Sequence, residues 1–143
     1  MNLAKALKVK NKKITEYNKT LQKVMAYNSY DVTSKKDYNA KELLQLAETQ
    51  LAAYVDLKTA IHAASQPVRS KIFLIGELKS LLGRIQSLST TEGLMRDRYS
   101  SSDGATYAAD ISQLEKDAKI EALEAEIEKL QDALDYFNAT TEI

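Results

Sequence analysis

Six apolar residues near the end of the chain, Ile120, Leu123, Ile127, Leu130, Leu134 and Phe137, recur at alternating steps of three and four without a break. At about 3.6 residues per turn that spacing draws one stripe along an α-helix, whereas a half-buried strand needs steps of two. A helix with one greasy stripe must lay it on a neighbour, so this pattern commits the chain to helix packing. Four Gly and one Pro in 143 residues are too few for the frequent turns of an all-β protein.

Three earlier segments read the same way. In residues 3–27, Leu3, Leu7, Ile14, Leu21 and Val24, with Tyr17 between, form a narrow heptad seam in which Lys10 and Asn28 are off pattern. A loop rich in turn formers follows, from Asn28 to Asn39, and Asn39 with Glu42 has capping-box spacing. In residues 40–64 the expected seam is Leu44, Ala47, Leu51, Tyr54 and Ile61, widened by Leu43, Leu46 and Leu57. Pro67 is tolerated in a first helical turn and costly in an interior, which predicts a stop after Ala64 and a restart at Pro67, with one kinked helix as the alternative. The third segment, 67–88, carries two adjacent stripes: Val68, Ile75, Leu78, Leu82 and Ile85, and beside them Ile72, Leu74, Leu81 and Leu88. Gly76 and Gly83 lie seven apart in it; each costs about 1 kcal/mol against Ala in a helix, which hints at a compensating close backbone approach.

The helical period disappears between Thr90 and Asp110. Residues 94–108 read as a short β-hairpin about an Asp103-Gly104 turn, which must dock on the helices or pair with a second copy. The last helix is expected over 110–137, with Asp110 as N-cap and Gln113 in the capping-box position; Ile111, Leu114 and Ala118 sit off its seam. The expected fold is therefore all-α: an elongated antiparallel four-helix bundle or pair of coiled-coil hairpins, one helical domain over 1–143, with a β-hairpin before the last helix. Segments of 25 residues would be roughly 37 Å long.

Charge is balanced, with 20 basic and 20 acidic residues, but unevenly spread. Residues 1–30 hold seven Lys and one Glu, while residues 110–143 hold three Lys and ten acids. The simpler expectation is that the basic first helix lies beside the acidic fourth. The alternative is that Lys5, Lys8, Lys12, Lys19 and Lys23 contact phosphate, in a nucleic-acid-associated protein. Because all the basic residues there are Lys, sequence-specific readout is disfavoured, and nucleic acid is not the expected partner.

Chemistry is sparse. The absence of Cys excludes disulfides, thiolate metal sites and cysteine nucleophiles, and a single His excludes a multi-histidine centre. A di-metal carboxylate bundle needs Glu-x-x-His pairs, but Thr59 stands three before His62. Glu121, Glu124, Glu128 and Asp132 share a side of the last helix and read as a solvated surface. No catalytic, cofactor or metal residue is assigned, and the chain is not expected to be an enzyme. Tyr27, Tyr30, Tyr38, Tyr99 and Tyr107 cluster at loops, where they would cap the bundle ends or meet a partner. Ile75, Leu78, Leu82 and Ile85 with Gly76 and Gly83 are the candidate self-association residues. A homo-oligomer is expected, a dimer being the commonest closed form, in or out of a larger assembly. No apolar run suits a secretory signal or a membrane span, so the expected address is cytoplasmic.

The two ends of the chain also resemble a known family. Met1-Asn-Leu-Ala-Lys-Ala-Leu7, Arg98-Tyr99-Ser100, Ala109-Asp110-Ile111 and the closing Asn138-Ala-Thr-Thr-Glu-Ile143 are similar to a small bacterial helical family of unknown function, sometimes labelled septicolysin-like. The resemblance spans most of the chain in order, and residues 66–88 depart from it. It implies a helical, coiled-coil-like protein and brings no activity. The label suggests a cytolysin, but the first segment has lysines without the Trp or Phe of a membrane-inserting face.

Overall fold

A computed structural model of the chain describes residues 1–95 and 104–143. Four helices appear in order: α1 (Leu3–Tyr27), α2 (Ala40–Ala64), α3 (Arg69–Gln86) and α4 (Gln113–Thr140). A 3-10 turn, Gln66–Val68, joins α2 to α3, and a two-stranded antiparallel hairpin, β1 (Gly93–Met95) with β2 (Ala105–Tyr107), precedes α4. The fold is all-α with a small β-hairpin. The chain divides into two compact units, Met1–Arg69 with Asp135–Ile143, and Ser70–Leu134.

The first unit is built on α1 against α2. On α1 the seam residues Leu3, Leu7, Ile14, Tyr17, Leu21 and Val24 are all buried or half-buried. Thr20 is buried too, its hydroxyl donating to the Glu16 carbonyl at 3.0 Å so that no polar group is orphaned. Leu3, Ala6 and Ile61 form the core cluster, with Leu7, Leu57, Ala64 and Phe137 packed on it. Burying a side chain such as Leu3 contributes roughly 2 kcal/mol. Within this unit the neighbour along α1 is α2, and the end of α4 belongs to the same unit.

A clasp of backbone bonds closes the cluster. Leu3 N–H donates to the Thr141 carbonyl at 2.8 Å and Ile143 N–H to the Met1 carbonyl at 3.0 Å. Asn2 serves twice: its Oδ1 caps α1 by accepting from Lys5 N–H at 2.9 Å, and its Nδ2 donates to the Ala139 carbonyl at 3.1 Å. The Met1 ammonium sits 3.0 Å from the Glu142 carboxylate.

On α2 the buried line differs from the expected one. Ala40, Leu43, Ala47, Gln50, Tyr54, Leu57, Ile61 and Ala64 are covered, at steps of three and four, while Leu44 and Leu51 are exposed. Leucines stand at adjacent positions on this helix, so composition alone does not separate the two registers. Asn39 caps the helix, its Oδ1 accepting from Lys41 and Glu42 N–H at 3.0 and 3.4 Å. At the other end, Ser65 N–H returns to the Ile61 carbonyl at 2.9 Å and its hydroxyl to the same oxygen at 2.7 Å. The 3-10 turn then begins with Pro67 in its first positions.

In the second unit Ile75 of α3 and Leu123 of α4 are buried. The six seam residues of α4 from Ile120 to Phe137 are all buried or half-buried. Its N-cap is Ser112 rather than Asp110: the Ser112 hydroxyl accepts from Glu115 N–H at 3.1 Å. Asp110 lies two residues too early for that bond, and Ser112 with Glu115 supplies the capping-box spacing instead. Lys116 Nζ donates to the Leu88 carbonyl at 2.9 Å, and Thr90 donates to Gln113, tying the start of α4 to the segment after α3. In the hairpin Leu94 pairs with Thr106 and every strand residue is exposed. Gly104 has φ 84°, where only glycine sits without strain; Asp103 lies outside the described residues.

Gly76 and Gly83 are exposed helix positions, and a methyl group built on either meets nothing within 4 Å. The expected close backbone approach is thus absent within the chain among the described residues. Gly76→Ala and Gly83→Ala should each stabilise the fold by about 0.5–1 kcal/mol, measured by urea denaturation. A loss of stability would show that something packs against these positions.

Candidate functional site

The loop between α1 and α2 gathers three of the singled-out tyrosines. Tyr27 ends α1 and Tyr38 precedes the α2 cap, and their rings meet at 4.7 Å between centroids, tilted by 47°. Lys23, one turn before Tyr27, places its ammonium 5.1 Å from the Tyr38 ring, and Lys36 stands 4.5 Å over Tyr30. Such contacts contribute about 0.5–1 kcal/mol each at an exposed site. All three rings keep more than a third of their surface open to solvent. Of the other two, Tyr107 belongs to β2 in the second unit, and Tyr99 lies outside the described residues. The five tyrosines therefore divide between the units.

At the tip of that loop Asp31 organises a turn. Its Oδ1 accepts from Thr33 N–H at 2.9 Å and from the Thr33 hydroxyl at 2.8 Å, while Ser34 N–H donates to the Asp31 carbonyl at 2.9 Å. The Thr33 backbone N–H, and next its hydroxyl, hold the Asp31 carboxyl below the ordinary carboxylate range.

The five candidate phosphate lysines, Lys5, Lys8, Lys12, Lys19 and Lys23, are all exposed. At about 100° per residue they fall within roughly 60° of arc, nearly opposite the apolar seam of α1. Glu16 interrupts the line and stands 3.8 Å from Lys12. This surface is a basic ridge backed by a packed helix.

A cleft of about 650 Å³ opens in the second unit, lined by Leu88, Met95, Tyr107 and Ile111 with Ser89, Thr91 and Asp110 among its polar members. It holds one carboxylate and no nucleophile–base pair among the described residues. Among the described residues no group of three or more His, Asp or Glu side chains could hold a metal ion, Glu121, Glu124, Glu128 and Asp132 included. His62 is occupied by Arg69, whose guanidinium lies 2.8 and 3.1 Å from the two ring nitrogens and 3.3 Å from the His62 carbonyl.

The candidate self-association residues divide by exposure. Ile75 is buried, Leu78, Leu82 and Ile85 are half-buried, and Gly76 and Gly83 are exposed on a different side of α3. Of the second stripe expected on α3, Leu74, Leu81 and Leu88 (the last just past the helix end) are 42%, 42% and 38% exposed, while Ile72, also 42% exposed, lies on the opposite side of the helix at about 100° per residue. Reading the sequence had located that stripe without distinguishing it from the covered one. No protein-family model, curated protein or solved structure matches the chain. No helix among the described residues is long and apolar enough to cross a membrane.

Thr33→Val should move the Asp31 carboxyl toward its ordinary value but leave it lowered, since the larger backbone donor remains. The turn's electrostatic support is present above the unfolded carboxyl's titration and is lost as pH falls through the lowered folded one. A carboxyl-detected NMR titration of wild type and variant checks both statements; an unmoved Asp31 refutes the hydroxyl contribution.

Proposed function

We propose that this chain is a non-enzymatic self-association module, a coiled-coil-like helical protein that works as a homo-oligomer, with a dimer as its basic form and a larger assembly as its setting. The observation that carries the reading is surface: among the described residues 22 large hydrophobic side chains stand exposed, against eight buried hydrophobic residues, which leaves apolar area for contact among copies. The family resemblance supports a helical protein without assigned chemistry. Nothing in the reading requires an oxidising compartment, and we assign it to the cytoplasm.

Light scattering coupled to size exclusion tests this. At about 50 µM the mass should be at least twice the 16.0 kDa of one chain, because standard interfaces hold at such concentrations. A monomer there overturns the proposal.

A second reading has one specific observation behind it, the basic ridge of α1. On that reading the chain binds nucleic-acid backbone without sequence preference. Five lysine–phosphate contacts would give a log–log salt slope of about −4.5 on duplex DNA. Absence of binding at low salt removes this reading and leaves the first intact.

A further inference from the structure

α3 carries two overlapping heptad seams. The first, Val68, Lys71, Ile75, Leu78, Leu82 and Ile85, is buried or half-buried within the chain. The second runs Leu74, Leu78, Leu81 and Ile85, again at steps of four and three, continues to Leu88 just past the helix end at Gln86, and shares Leu78 and Ile85 with the first. Its own members Leu74, Leu81 and Leu88 are 42%, 42% and 38% exposed. A helix with two seams is built for two neighbours, and this chain covers only one.

Charge says what the other neighbour is. With Leu74 and Leu81 as d positions and Leu78 and Ile85 as a positions, Glu77 and Arg84 occupy the two flanking g positions. Both are exposed, and neither is ion-paired among the described residues. In an antiparallel pair of identical helices g faces g, so each Glu77 meets the Arg84 of the other copy, twice per pair. The same alignment sets Leu78 on the other copy's Leu81 and Leu74 on its Ile85. A parallel pair would set Glu77 against Leu82 and Arg84 against Ser89, with no gain.

We infer that the second α3 seam is a two-fold interface, on which α3 of a second copy lies antiparallel, about an axis between Lys79 and Ser80. The inference rests on the self-association reading and names its surface. Leu88 also lines the hairpin cleft, so the apolar surface continues beyond the seam toward Met95 and Tyr107.

Charge reversal tests it without touching the core. Glu77→Arg and Arg84→Glu should each weaken the dimer about tenfold in sedimentation equilibrium, because two attractions become two repulsions. The double swap should return the dissociation constant to within about threefold of wild type, and mixing the two single variants should yield a heterodimer. Leu81→Glu should abolish the dimer while its helical circular dichroism persists. A wild-type oligomer that ignores these substitutions, or is not rescued by the double swap, overturns this interface and leaves self-association standing. A wild-type monomer overturns both.

Discussion

Each helix here can bury only one stripe per neighbour, and that limit governs the molecule. A heptad seam occupies a narrow arc of a slender cylinder, so the number of seams on a helix counts the partners it needs. α1 has one seam and one long neighbour, α2, and the opposite side of the helix is free to carry lysines. The contact is secured at one end by Leu3, Ala6 and Ile61 and by the backbone clasp from Leu3 to Thr141 and Ile143 to Met1.

Magnitudes explain why α1 is held on α2 by packing rather than by charge. An exposed Lys–carboxylate pair contributes about 0–1 kcal/mol and is screened by salt. Each buried Leu or Ile contributes about 1.5–3 kcal/mol. Of the seven lysines in the first thirty residues, five line the exposed side of α1. The cost of gathering like charge is tolerated because long side chains can spread into solvent.

Much of this was legible in the residues, and the exceptions have physical reasons. The α4 seam from Ile120 to Phe137 stood out because, Gln131 and Tyr136 apart, its other positions are charged or Ala, leaving one clear register. On α2 the choice between Leu43 and Leu44, or between Gln50 and Leu51, depends on the angle at which α1 arrives, which no local pattern contains. The start of α4 was misplaced because Asp110 and Ser112 are both good caps; the spacing to Glu115 decides for Ser112. Contact between Tyr27 and Tyr38 could not be read either, since it needs the α1–α2 register to bring the rings within 4.7 Å. The glycines of α3 misled in the opposite direction. Their spacing suggested a close approach, and both face open space.

Leucines left outside a seam do not all carry the same meaning, and α2 and α3 make the contrast. The uncovered line on α2 runs Leu44, Glu48, Leu51, Val55, Lys58 and His62, so charge interrupts it at every second or third place. Its polar members are also engaged locally, Lys58 over the Tyr54 ring at 5.8 Å and His62 under Arg69. Docking a helix there would strip water from Glu48 and Lys58 without a matched partner, a penalty of several kcal/mol per buried ion. The uncovered line on α3 has no polar member from Leu74 to Leu88, and its charges stand outside it at Glu77 and Arg84. Apolar centre with charged flanks is the arrangement that makes association both favourable and selective. Meanwhile α2 admits Gln50 to its covered seam, where Oε1 has no hydrogen-bond partner among the described residues and lines a cleft of about 130 Å³ with Lys13, Glu16 and Thr49. A polar group in a seam lowers stability and restricts which register is acceptable. The intramolecular contact thus gives up some burial for a fixed register, while Leu74, Leu81 and Leu88 beside the covered α3 seam are left exposed.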